Sequence, residues 1–157
     1  MTTFRSCALP TSVALAFLAG CTAIHVEALP RSEVPVSHVC IAENPAVIVR
    51  DFLNTLIGGF QRHGFTSETF TGTKPENCDV VVTYTARQSW DIVTYLVKAE
   101  IWMRRDGRQI AYAEYHLRGG GGYALTKYEG TATKMKPVMD QLLVEYPAPP
   151  SAAVSTL

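Results

Sequence analysis

Two alternating runs in the middle of the chain constrain its fold more than anything else in the sequence. Val80, Val82, Tyr84 and Ala86 alternate with Val81, Thr83, Thr85 and Arg87. After Trp90-Asp91, residues Val93, Tyr95, Val97, Ala99, Ile101 and Met103 share one parity, and Thr94, Lys98, Glu100 and Arg104 share the other. A period of two assigns each parity to one face of an extended strand, so both runs predict strands with a clearly apolar face. A sheet with one apolar face has to bury it under a second layer.

Arg105-Asp106-Gly107-Arg108 turns the chain into a third run, Ile110 to Leu117. A two-residue Asp-Gly loop would pair Arg105 with Arg108, Ala99 with Glu114 and Val97 with His116, placing polar groups on the buried face. A three-residue loop pairs Arg104 with Arg108 instead. It matches Ile101 with Ala111, Ala99 with Ala113, Val97 with Tyr115 and Tyr95 with Leu117. It also sets Lys98 opposite Glu114, a cross-strand pair of about 0.2–1 kcal/mol. This register predicts a type I turn with a G1 bulge and Gly107 in the left-handed region. On this reading the non-core face carries Leu96, Trp102, Ile110 and Tyr112 among Lys98, Glu100, Glu114 and His116, with Trp102 facing Ile110. Such a patch marks a partner, a ligand or a membrane surface unless the chain's own tether or tail covers it. Leu96, Trp102, Ile110 and Tyr112 are therefore the candidate binding face.

Two helical runs supply the covering layer. Asn44-Pro45 offers an N-cap and a proline at the first helical position, and the helix runs to about His63 with Gly64 just beyond it. Ile48, Val49, Phe52, Leu53, Leu56 and Phe60 form its apolar side. A second helix begins near Thr133 to Pro137, with Pro137 in its first turn, and carries Met135, Val138, Met139, Leu142, Leu143 and Tyr146. Val36 to Ala42 reads as a first strand, Phe65 to Phe70 as a short edge strand and Ala124 to Tyr128 as an extended stretch. The order is β-α-β-β-β-α with one short extra strand. The class is α+β: a two-layer sandwich whose mixed, mostly antiparallel sheet carries both amphipathic helices on one face. The strand before the first helix and a strand after it are expected to be parallel, joined by a right-handed crossover.

Composition agrees with one domain. Among 157 residues, 47% are hydrophobic and 18% charged, too apolar for a disordered chain. Fourteen Lys+Arg balance 14 Asp+Glu, which argues against a nucleic-acid partner.

The first twenty residues read as an address. Arg5 and the free amine form a weakly positive segment, and the stretch from Ala8 to Ala19 is apolar or small and uncharged. It is shorter than the roughly 20 residues needed to cross a bilayer, as in a signal peptide. Leu18-Ala19-Gly20-Cys21 resembles the lipobox of bacterial lipoproteins, in which the thiol takes a diacylglycerol through a thioether. The alternative is an ordinary cleaved signal that a cysteine happens to follow. The lipobox implies a signal peptide over 1–20, lipidation at Cys21 and a membrane partner through the lipid. Thr22 in place of Asp implies the outer membrane, periplasmic side, with the inner membrane as the alternative. Residues 21–35 read as a lipidated tether with room for a short extended piece, 36–146 as the folded domain and 147–157, rich in Pro and Ala, as a disordered tail.

Cys7 leaves with the signal, so Cys40 and Cys78 remain as an even pair in an oxidising compartment. If they lie on neighbouring strands they are within disulfide reach, closing a loop of about 39 residues worth about 4 kcal/mol. The alternative is two buried thiols. No metal site is expected, because two isolated cysteines lack zinc spacing.

Catalytic chemistry finds little support. Gly119 to Gly122 lacks the GxxxxGK[ST] template and reads as a flexible or close-packed backbone crossing. His25, His38, His63 and His116 show no ligand spacing; His63 suits a helix C-terminus, and His116 with Glu114 reads as an exposed polar ladder. No Gly-x-Ser-x-Gly elbow or spare thiol supplies a nucleophile. The expectation is a non-enzymatic protein without a cofactor.

Leu18 to Cys21, Val39 to Ile41, Arg62 to Gly64, Asn77-Cys78-Asp79, Thr83 to Ala86, Ser89-Trp90-Asp91, Ala113 to Leu117, and Lys127 with Gly130-Thr131 form a set. Together these stretches resemble an uncharacterised family of small bacterial lipoproteins, the Sbal type. The resemblance spans nearly the whole chain. It implies a lipidated envelope protein with no known activity and carries over no functional residue beyond Cys21. By analogy with other periplasmic lipoproteins of similar α+β shape, the expected role is that of a partner in an envelope complex, with a small ligand on the open sheet face as the alternative.

Overall fold

The computed structural model describes residues 22–33, 37–122 and 124–146. The expected signal peptide, the lipid acceptor Cys21 and the expected tail 147–157 lie outside them. Six strands and two α-helices follow in the order β1 (Thr22–Glu27), β2 (His38–Ala42), α1 (Phe52–Arg62), β3 (Thr66–Phe70), β4 (Val80–Trp90), β5 (Thr94–Arg105), β6 (Arg108–Leu117) and α2 (Thr131–Leu142). The strands form one mixed sheet, β1-β6-β5-β4-β2-β3. β2 runs parallel to both β3 and β4, and the other pairs are antiparallel. The α+β two-layer class stands as expected, with β2–α1–β3 as the parallel unit and β3 as the short edge strand.

The short extended piece expected within the tether is a full strand of the sheet, so residues 22–29 belong to the folded domain. Residues 22–27 pair antiparallel with β6, and Leu29 behind them is fully buried and donates its backbone N–H to Leu142 O at 2.8 Å. Ile24 and Val26 face inward with Tyr115 and Ala113, so β1 caps the edge that β6 would otherwise expose.

The first helix starts later than Asn44-Pro45 suggests. The Asn44 amide donates to Tyr84 O at 2.9 Å, and its Oδ1 accepts Ala46 N–H at 3.1 Å. That side chain staples the loop to β4 instead of capping a helix. Asp51, at φ 57°, precedes α1, and Ile48 is left exposed. The helix ends as expected: Gly64 N–H bonds Gln61 O and Phe65 N–H bonds Phe60 O, both at 3.0 Å, a Schellman motif. Its usual apolar contact is made by Phe60 and Phe65, whose rings lie 5.8 Å apart. Gly59 lets α1 approach α2, since a Cβ there would stand 2.8 Å from Met139 Cγ. In α2, which begins at Thr131, Pro137 sits in the second turn rather than the first. Leu125–Tyr128 is a 3-10 turn, not an extended stretch.

The β5–β6 turn corrects the register argument. Asp106 (φ 50°) and Gly107 (φ 77°) form a two-residue loop with Arg105 facing Arg108, the geometry of a type I′ turn. The polar mismatch of that loop is removed one pair later, where Arg104 pairs with Gln109 but Met103 pairs with Ala111. The extra residue is Ile110. This bulge restores Ala111, Ala113 and Tyr115 to the core opposite Met103, Ile101 and Ala99. It also turns Ile110 inward. A second bulge lies between β4 and β5, where Arg87 pairs with Lys98 but Gln88 with Leu96. Val97 is the extra residue there, and Leu96 turns into the core.

The helix C-termini are tied together at Asp140. Its Oδ1 accepts from Arg62 and from His63 Nε2, both at 3.1 Å, and its Oδ2 accepts from Lys136 at 2.6 Å. Burial pushes its carboxyl up, but the hydrogen bonds from Lys136, His63 and Arg62 outweigh that and hold it at about 2, below the ordinary 3.8. A depressed carboxylate stabilises the fold above its unfolded pKa, and that contribution is lost as pH falls toward 2. The side chain is about a third exposed, so solvent screening cuts the effect. Asp140→Asn is expected to cost about 1 kcal/mol at pH 7 and only a small fraction of that near pH 2, where the folded carboxyl is half protonated, measured by urea unfolding at both.

Candidate functional site

With both helices on one face, no helix among the described residues covers the other face of the sheet. Trp102 and Tyr112 meet there across β5 and β6, their rings 5.8 Å apart and tilted by 43°. His25 of β1 adds a third ring 6.1 Å from Tyr112. The inward-turning bulges keep the outer parity of β6 at Tyr112, Glu114 and His116, which is why these side chains line up.

The like charges Glu100 and Glu114 face each other directly, contrary to the expected Lys98–Glu114 register pair. Lys98 relieves the repulsion diagonally, with Nζ 3.2 Å from Glu100 Oε1 and 3.5 Å from Glu114 Oε1. The single Tyr112 hydroxyl proton is shared between Glu100 Oε1 at 3.1 Å and Glu114 Oε2 at 3.3 Å, and Thr85 donates to Glu100 Oε2 at 3.3 Å. Burial, followed by the bond to Glu100, pushes the Tyr112 hydroxyl well above the ordinary tyrosine range. For Glu100, burial raises the carboxyl, but hydrogen bonds from Lys98 and Tyr112 overcome it and hold it low. The hydrogen bond to Glu100 raises Lys98. Every charge in the cluster thus has a partner, and Tyr112 is held protonated as a donor. What the arrangement offers is an aromatic platform edged by a satisfied charge ladder, suited to contact with a flat group.

Of the four residues expected on this face, the structure brings together Trp102 and Tyr112. It removes Leu96 and Ile110, both buried in the core by the two bulges, and Trp102 faces Tyr112 rather than Ile110. His25 was missed because a two-residue alternation, Ile24 and Val26 against His25 and Glu27, is too short to stand out.

Cys40 and Cys78 form the disulfide, with Cα atoms 6.0 Å apart and both residues buried. His38, Cys40 and Glu68 bring potential ligand atoms within 4.8 Å of one another, but Cys40 has no thiolate to offer while it is bonded to Cys78. His38 Nδ1 instead lies 2.8 Å from Thr66 Oγ1. His63 is buried at the end of α1, with Nδ1 2.6 Å from Tyr146 O. His116 is exposed on the outer parity of β6. Gly119, Gly120, Gly121 and Gly122 all have positive φ, and a Cβ on Gly121 would lie 2.8 Å from Lys127 Cβ, so the run is a close backbone crossing. The burial of two lysines had no sequence signal. Lys134 donates to Leu96 O at 3.1 Å and also to Lys127 O, and Lys127 donates to Asp91 Oδ2 at 2.7 Å.

Two grooves open on the helical side. One of about 340 Å³ lies between the loop before α1 and Tyr84. The other, about 610 Å³, lies between the N-terminal ends of both helices and the β4–β5 turn.

No protein-family description matches this chain, and no curated protein is similar to it at a significant level. Among solved structures it is similar to the PelC dodecamer from Paraburkholderia phytofirmans, at 11% identity and a TM-score of 0.49. The alignment covers 75% of this chain and 97% of that one. A single-substitution variant of the same dodecamer aligns with 12% identity and the same TM-score.

Proposed function

We propose that the chain is a lipid-anchored envelope protein, held by Cys21 on the periplasmic side of the outer membrane. There it binds or supports a partner in an envelope assembly and catalyses no reaction. The observation that carries this reading is Leu18-Ala19-Gly20-Cys21 at the end of an uncharged apolar run. The Cys40–Cys78 bond supports it, because such bonds persist in oxidising compartments and are rare in the cytosol. A small ligand on the open face is the second reading, and the Trp102–Tyr112 platform favours it.

Replacing the acceptor thiol tests the anchor. Cys21→Ser is expected to remove the diacylglycerol mass and move the protein from the membrane to the soluble periplasmic fraction. Unchanged mass and unchanged fractionation would refute the proposal. Crosslinking from the anchored protein in cells then separates the two readings. Capture of a defined membrane complex favours the partner, and a co-purifying small molecule without such capture favours the ligand.

A further inference from the structure

Six large apolar side chains are exposed among the described residues, and five of them lie at one end of the sheet: Ile48 (74%), Trp90 (73%), Ile92 (78%), Val93 (50%) and Leu125 (82%). Sheet register places them together. Trp90 closes β4 opposite Thr94, the first residue of β5. β6 runs antiparallel to β5, so its last residue, Leu117, lies toward that same end. The 3-10 turn bearing Leu125 is clamped to the 91–93 turn, because Lys127 and Tyr128 both donate to Asp91 Oδ2, at 2.7 and 3.1 Å. Tyr95 packs edge-on against Tyr128 with ring centres 5.8 Å apart. Ile48 joins them through its neighbours Val49 and Arg50, which line the same groove as Val93 and Tyr128, and Thr131 holds Arg50 O at 3.4 Å.

The start of the described chain lies at this end too. Thr22 pairs with Leu117, and residue 21 precedes it by one peptide unit, about 3.8 Å. The β4–β5 turn overhangs the Thr22–Leu117 pair by Thr94 to Leu96, about 10 Å at the rise of a strand. A lipid on Cys21 has no slack with which to hold the domain away from the bilayer. The residues nearest the surface would then be exposed apolar ones, with a tryptophan whose amphipathic ring suits the interface.

From this we infer that the loop cluster of Trp90, Ile92 and Leu125 inserts into the headgroup–acyl boundary of the membrane that carries the anchor. The domain then stands on the bilayer by its β4–β5 end and presents the β5–β6 turn and the C-terminal ends of both helices to the periplasm. The inference rests on the lipid-anchor reading. It adds a second, non-covalent contact that fixes the domain's orientation.

The chain has two tryptophans, and the test uses both. The full lipidated protein is reconstituted into vesicles of phosphatidylethanolamine and phosphatidylglycerol with brominated acyl chains, as Trp102→Phe and as Trp90→Phe. In Trp102→Phe the lone Trp90 is expected to be quenched about threefold more than the lone Trp102 of the other variant, since bromines 5–10 Å below the interface reach only an inserted ring. Adding Ile92→Asp and Leu125→Asp should bring Trp90 quenching down to the Trp102 level. Intact mass of the same sample reports the anchor separately. Acylated protein with equal quenching of the two tryptophans overturns the inference and leaves the anchor reading standing. Absence of the acyl mass overturns both. A photoreactive side chain at position 92 that captures only protein in cells also overturns it, in favour of a protein occupant.

Discussion

Removing the Cys40–Cys78 bond should lower the stability of the folded domain by about 4 kcal/mol, the largest effect expected from any single covalent change. The bond closes a loop with a sequence separation of 38 and joins β2 to the start of β4, with both cysteines fully buried. In the unfolded chain the crosslink excludes most of the conformations that loop would sample, and chain entropy grows with the logarithm of loop length. A Cys40→Ala/Cys78→Ala variant, or the reduced protein, should melt on the order of 10–15 °C lower by calorimetry. Domains of this size carry about 5–15 kcal/mol in all, so the reduced form is expected to be marginal. That dependence would make the fold itself suited to an oxidising compartment. A melting temperature unmoved by reductant would refute the argument.

Leu96→Ala should cost about 2–4 kcal/mol, and Val97→Ala distinctly less. Alternation along β5 gives the reverse order, because Val97 shares the parity of Ala99, Ile101 and Met103 while Leu96 shares that of Lys98 and Glu100. In the folded chain Leu96 is 2% exposed and joins the core, and Val97 is only partly buried as the extra residue of the β4–β5 bulge. Truncating Leu96 opens a cavity beneath the N-terminal part of α2, where Lys134 bonds Leu96 O at 3.1 Å. Urea titration of the two variants decides the matter. A larger loss at Val97 would mean that the bulge lies elsewhere.

These two residues show where legibility stops. The apolar parity of Val80 to Ala86 and of Ala99 to Met103 was plain in the sequence, and those side chains do form the core. The helical spacing of Phe52, Leu56 and Phe60, and of Met135, Val138, Met139 and Leu142, was equally plain, because the period of a helix is written into neighbouring residues. Of the candidate binding face, Trp102 and Tyr112 were legible for the same reason. Leu96 and Ile110 were not, because a single inserted residue inverts parity and leaves no local mark.

The sequence alone therefore determined the fold class, the presence of two covering helices, the even count of cysteines in the domain and the helix end at Gly64, since each rests on spacing or chemistry among residues near in the chain or few in number. The tertiary structure decided where the two bulges sit, that residues 22–27 close the sheet edge, and that exposed apolar side chains gather at the end of the sheet where β1 begins. The reason is one of competition. Bulge position and edge pairing are settled by which register buries most across several strands at once. That sum is taken over contacts far apart in the chain, and no window of neighbouring residues contains it.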